Sequence, residues 1–97
     1  MFPIAQIRFA RPTPDIDRML RFYRDGLQLK IIGEFRDHAG YNGVMLGLPD
    51  ASVHLEFTEQ SDRKDYPAPT AEHLLVLYFE DSVVRDEYVN RLGLLGF

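Results

Sequence analysis

The chain has 97 residues, of which 45% are hydrophobic and 27% charged, and it carries a formal net charge of −4. This composition is typical of a small globular domain, and it excludes a disordered segment. The negative charge and the lack of a basic block argue against a nucleic-acid surface. No apolar run approaches the roughly 18 residues of a membrane span. Cysteine is absent, which excludes disulfides and thiolate metal sites, and we expect a cytoplasmic protein.

The first predicted elements are a strand and a helix. Residues 5–10 alternate in polarity, which predicts a strand with Gln6 and Arg8 on the same face. Residues 14–25 place apolar side chains at helical spacing, with acidic residues in the first turn and Gly26 as the stop. The pattern therefore predicts a strand followed by one helix.

Three more strands are predicted directly after the helix, at residues 29–35, 41–48 and 53–58. The last of them alternates strictly, so that His54 and Glu56 point away from the apolar face. The order is β-α-β-β-β with short connections, and this order predicts an α+β fold.

The remainder of the chain restarts the pattern. Residues 59–71 are polar and contain two prolines, which indicates a linker. Residues 73–79 are predicted to form a strand with His73 at its start, and a helix begins near Asp81. We therefore expect a βαβββ module at 1–58 and the first β-α of a second module at 72–97. Such a second module is either truncated or completed by another copy, and a small domain gains stability from a partner, so a homodimer is expected.

Four segments in this order resemble the vicinal oxygen chelate superfamily, the group of glyoxalase I, bleomycin-resistance proteins, fosfomycin-resistance enzymes and extradiol dioxygenases. They are Arg11–Ile16, Phe22–Leu27, Val53–Phe57 and Glu72–Leu74. The resemblance implies that two βαβββ modules form a cleft from the concave faces of their sheets. In the metal-using members, a residue on the first strand and one on the last strand of each module bind a divalent ion there.

Carried over position by position, the resemblance assigns two metal ligands. Glu56 matches the last-strand glutamate of the first module, and His73 matches the first-strand histidine of the second. The expected histidine of the first module falls on Arg8, with Gln6 next along the face, and neither is a usual ligand. The fourth position would follow Phe97. The implied ion is Zn, Ni, Mn or Fe, or none is bound.

The residues themselves leave several roles open. Arg8 carries a permanent charge, so it would pair with Glu56 or hold an anionic group of a ligand, with Gln6 as a second contact. His54 lies on the same face as Glu56 and could transfer a proton beside it, so both are candidate catalytic residues. The alternative for Glu56 is a polar side chain on an open sheet face without a function. His54 and His73 could likewise be solvated surface residues.

Two functions follow from the resemblance. The first is a divalent-metal-dependent lyase or isomerase, or a dioxygenase, that acts on a small molecule with adjacent oxygens. The second is a metal-free small-molecule-binding protein similar to the bleomycin-resistance branch. Glu56 with His73 favours the first, and Arg8 favours the second. Whether the chain is an enzyme, and what its substrate is, stays open at this point.

Overall fold

The computed structural model describes residues 3–48 and 52–97. The chain divides into two compact units, Met1–Tyr66 and Pro67–Phe97, called the first and second unit below. The division falls inside the predicted linker, and the last strand of the first unit continues to Gln60, two residues beyond its predicted end.

The described residues of the first unit form one helical segment and a four-stranded sheet. Its elements are β1 (Ile7–Pro12), α1 (Ile16–Leu20), a π-helical segment (Arg21–Gly26), β2 (Lys30–His38), β3 (Tyr41–Gly47) and β4 (Val53–Gln60). The strand order is β1-β4-β3-β2, with β1 parallel to β4 and the other neighbours antiparallel. The predicted α+β fold and its βαβββ module are therefore confirmed.

The helical segment differs from the prediction of one regular helix at 14–25. It begins two residues later, because Asp15 is the N-cap and its carboxylate accepts a hydrogen bond from the backbone nitrogen of Arg18 at 3.3 Å. After one turn the backbone widens into a π-helix, in which the nitrogen of Leu27 donates to the carbonyl of Phe22 at 2.9 Å. The same residues are helical, but the second half has a wider turn.

One face of the sheet packs against the helical segment and forms the core. The register pairs Val44 with Phe57 and Leu46 with Leu55, so these four side chains share that face. The ring of Tyr23 packs on Phe57 with centroids 4.9 Å apart. The buried apolar side chains are Leu20, Leu27, Leu29, Val44, Leu46, Leu55 and Phe57. The opposite face of the sheet, called the open face below, carries the side chains between them.

The second unit contains α2 (Ser82–Leu94), which begins at its N-cap Asp81, whose carboxylate accepts from the nitrogen of Val83 at 2.8 Å. None of the thirteen residues of α2, all of them described, is buried. In the described part of the second unit, residues 73–79 form no strand, and Leu74 is 75% exposed. The strand predicted there is not formed. A strand needs a neighbouring strand to hydrogen-bond with, and no described strand pairs with these residues.

Candidate functional site

An ion pair joins the neighbouring strands β1 and β4 on the open face. The register pairs Arg8 of β1 with His54 of β4, and it pairs Ala10 with Glu56. Arg8 and Glu56 are therefore diagonal neighbours on one face. The Nη1 atom of Arg8 lies 3.6 Å from Oε2 of Glu56, and the two side chains are 41% and 18% exposed. The pairing that the sequence allowed as an alternative to a metal is thus present.

His54 lies directly beside this pair. It is half-buried, and its Nδ1 atom is shielded from solvent without a hydrogen-bond partner among the described residues. A shielded polar atom without a partner lowers stability, and such an atom calls for an explanation. The structure brings His54, Arg8 and Glu56 together. The proton-transfer role of His54 and Glu56 stays a prediction.

Gln6 lies just before β1 and holds the chain in register. Its Nε2 atom donates to the carbonyl of Ser52 at 2.6 Å and to that of Ile7 at 3.1 Å. The bond to Ser52 joins the start of β1 to the start of β4. Both amide hydrogens therefore have backbone acceptors, and the predicted contact of Gln6 with a ligand stays a prediction.

Three apolar side chains on β2 and β3 continue the open face beyond the ion pair. They are Ile32, Phe35 and Met45, called the apolar platform below. Met45 pairs with Glu56 across the β3–β4 ladder, so the platform adjoins the charged pair. Ile32 is the additional residue in a bulge of β2, and its Cγ2 atom would meet a Cβ on Gly47 at 3.1 Å.

Two glycines allow the side chains of the platform to lie close to the sheet. Phe35 pairs with Gly43, and a Cβ on Gly43 would overlap the Phe35 ring. Met45 pairs with Gly33, where a Cβ would lie 2.7 Å from the methyl carbon of Met45. Both side chains therefore lie close against the backbone of the neighbouring strand. The platform was not predicted from the sequence. The pattern that could have indicated it is a glycine on one strand opposite a large apolar residue on the next strand.

The donor atoms of the first unit do not fit a resident divalent metal. The Glu56 carboxylate faces the positively charged guanidinium of Arg8, and that charge repels a metal ion. Across residues 3–48 and 52–97, no group of three or more histidine, aspartate or glutamate side chains is placed to hold an ion. His73 belongs to the second unit, where it is exposed and its backbone nitrogen donates to Thr70 at 3.0 Å. Its predicted approach to Glu56 stays a prediction.

Comparison with known proteins decides the family. Residues 7–58, more than half of the chain, match the family of YycE-like N-terminal domains. The chain belongs to the YycE-like family. The uncharacterized protein YycE of Bacillus subtilis is 47% identical over 96 residues, which cover 99% of this chain and 69% of that protein.

A crystal structure of a Bacillus subtilis YycE protein superposes on this YycE-like chain with a TM-score of 0.91 and 47% identity. The superposition covers 98% of this chain and 69% of the other. That protein is described as one of unknown function, with a glyoxalase or fosfomycin-resistance protein as the suggestion. The resemblance to the vicinal oxygen chelate superfamily is thus confirmed.

Two more distant structures share the fold of the YycE-like chain. Trypanothione-dependent glyoxalase I of Leishmania major gives a TM-score of 0.70 at 23% identity over 91% of this chain and 63% of its own. Methylmalonyl-CoA epimerase of Mycobacterium tuberculosis gives 0.51 at 19% identity over 60% and 39%. At these identities the likeness concerns the fold alone.

Within the described residues, no helix has the length and apolar character needed to cross a membrane.

Proposed function

We propose that this chain binds a small molecule on the open face of its sheet without a resident metal, and that Arg8 and Glu56 are the polar anchors. The observation that carries the proposal is the 3.6 Å contact between the Arg8 guanidinium and the Glu56 carboxylate. This pair lies at the two positions where the superfamily resemblance places metal ligands of the first module.

The ion pair is weak enough for a charged group of a ligand to replace one of its two partners. A partly exposed ion pair contributes about 0–1 kcal/mol to stability, so a charged ligand group can replace either partner at little cost. A divalent ion at the same carboxylate would be placed against a fixed positive charge, which is unfavourable. The arrangement therefore favours an organic ligand over a metal ion.

The alternative is a metal-dependent lyase or isomerase that acts on a small molecule with adjacent oxygens. One observation favours it: Glu56 lies on the open face of β4, with a side chain that is only 18% exposed. In that case Glu56 and His73 would bind Zn, Ni, Mn or Fe, and His54 would transfer a proton.

We further propose that the protein acts as a homodimer, which light scattering coupled to size exclusion can measure.

Elemental analysis combined with a compound screen separates the two functions. We expect the purified 97-residue chain to contain no stoichiometric Zn, Ni, Mn or Fe. We also expect compounds that raise its melting temperature to do so equally with and without EDTA, and to lose that effect with Arg8→Gln but retain it with Glu56→Gln. Glu34→Gln, an exposed carboxylate on β2, is the matched control. One equivalent of metal that is lost with Glu56→Gln would instead establish the metal-dependent alternative.

A further inference from the structure

We infer that the ligand of the open face is a flat aromatic compound that bears an anionic group. This inference rests on the proposed function and specifies the class of ligand. It is drawn from the shape of the apolar platform and from the unequal exposure of Arg8 and Glu56.

The platform offers a low, flat apolar surface. Gly43 and Gly33 have no Cβ, which allows the Phe35 ring and the Met45 side chain to lie close over the neighbouring strand. An aromatic ring gains from stacking on another ring, and a thioether contacts aromatic rings favourably. A flat aromatic body therefore makes more contact with this surface than a flexible alkyl chain does.

The charge of the ligand follows from the ion pair. Arg8 is 41% exposed and Glu56 is 18% exposed, so the guanidinium is the more accessible partner. The guanidinium also presents several N–H donors in a planar fork that matches a carboxylate or phosphate group. An anionic group on the ligand can thus reach Arg8 more readily than a cationic group can reach Glu56.

The spacing of the strands sets the length of the ligand. Met45 on β3 pairs with Glu56 on β4, and β4 pairs with β1, which carries Arg8. Adjacent strands lie about 4.8 Å apart, so the backbones of the strands that carry Met45 and Arg8 are separated by about 10 Å, and the Arg8 side chain spans part of this distance toward Glu56. A fused two-ring aromatic body with one carboxylate is of matching length.

Titrations with three probes, followed by NMR of the Met45 methyl and the Arg8 side chain, test this inference. The probes are 2-naphthoate, its cationic analogue 2-naphthylmethylamine, and hexanoate as an anion without a ring. We expect 2-naphthoate to bind with a Kd at least about fivefold lower than that of either other probe. Only 2-naphthoate can contact both the apolar platform and the Arg8 guanidinium. We expect EDTA to leave all three titrations unchanged.

Variants assign the two parts of the surface. Arg8→Gln should weaken 2-naphthoate binding by about tenfold, since a charge-assisted contact is lost, and should not weaken binding of the amine. Gly43→Ala should displace the Phe35 ring and weaken both aromatic probes. Phe35→Leu tests the same contact without altering the backbone. Arg11→Gln, on the same strand but the core face, is the control and should change no titration.

The outcomes are distinguishable. Equal binding of the amine or of hexanoate overturns the ligand class and leaves metal-free binding on the open face intact. Binding that disappears with EDTA overturns the proposed function itself. Shifts confined to residues 73–79, or no shift at Met45 and Arg8 with 2-naphthoate, overturn the inference because the aromatic anion then does not occupy the open face.

Discussion

Glu59, near the end of β4, accepts a hydrogen bond from the backbone nitrogen of Ile16, the first residue of α1, at 2.9 Å. The two residues are 43 positions apart in the chain. The first N–H groups of a helix have no partner inside the helix, so the strand supplies one here. A five-residue helix is unstable alone, and this bond fixes its start to the sheet.

Replacing Glu59 should therefore destabilise the first unit. We expect Glu59→Ala to lower the free energy of unfolding by about 1–2 kcal/mol, because it leaves a part-buried N–H without an acceptor. Glu59→Gln should cost less, since its amide oxygen can still accept. Urea denaturation measures both, with Glu34→Ala as an exposed control. Equal midpoints for Glu59→Ala and the control would contradict the anchoring role.

Tyr23 should make stability depend on alkaline pH. Burial raises the pKa of Tyr23 above its ordinary value of 10.0, and the nearby charge of Arg11 opposes part of that shift. The folded state thus retains the phenol proton to higher pH than the unfolded state. The resulting stabilisation is complete below pH 10.0 and is lost as pH rises through the folded pKa.

Denaturation from pH 8 to pH 11 checks this dependence. We expect the loss of stability above about pH 10 to be smaller in Tyr23→Phe than in the unmodified chain. Tyr78→Phe is the control, since that side chain is 92% exposed. Identical pH profiles for Tyr23→Phe and the unmodified chain would show that folding does not alter the titration of this phenol.

Arg8→His should make the open face more receptive to zinc. The change removes a fixed positive charge beside Glu56 and adds a ring nitrogen that can bind metal. We expect calorimetry to show Zn²⁺ affinity about tenfold above that of the unmodified chain. Arg11→His adds the same ring on the core face and should give no gain. An unchanged affinity in Arg8→His would mean that the charge of Arg8 is not what opposes the metal.

Asp81→Ala should unwind the start of α2. The carboxylate is the acceptor for the nitrogen of Val83 at 2.8 Å, and losing an N-cap costs about 1 kcal/mol. Faster hydrogen exchange at residues 83–85 is the expected result. Asp86→Ala, inside the helix and paired only with the exposed Arg85 in the contacts described, is the matched control. Equal exchange rates in the two variants would count against the cap.

The sequence predicted the open face well because strand geometry is local. Successive side chains point to opposite sides, so the shared face of His54 and Glu56 followed from position alone, and the register adds Arg8 to that face. For Arg8 the sequence left two alternatives, an ion pair with Glu56 or a contact with an anionic group of a ligand. It could not decide between them, because the contact depends on which strands become neighbours.

Other features depend on information that the local pattern lacks. Apolar spacing cannot distinguish an α-helix from a π-helix, so the wider turn at Arg21–Gly26 was missed. The apolar run at 73–79 has strong strand propensity, but a ladder needs a second strand. The contact of Phe35 with Gly43 depends on the β2–β3 register, which is shifted by bulges.

The parallel pairing of β1 with β4 determines when the candidate site can assemble during folding. Strands β2 to β4 form consecutive hairpins, whereas the side chain of Gln6 meets Ser52 46 residues further along the chain. Joining such distant segments requires a large loop closure, whose entropy cost precedes any stabilising contact. Arg8 therefore reaches Glu56 only when β1 has paired with β4. A compound that contacts both residues would oppose the reverse step and slow unfolding.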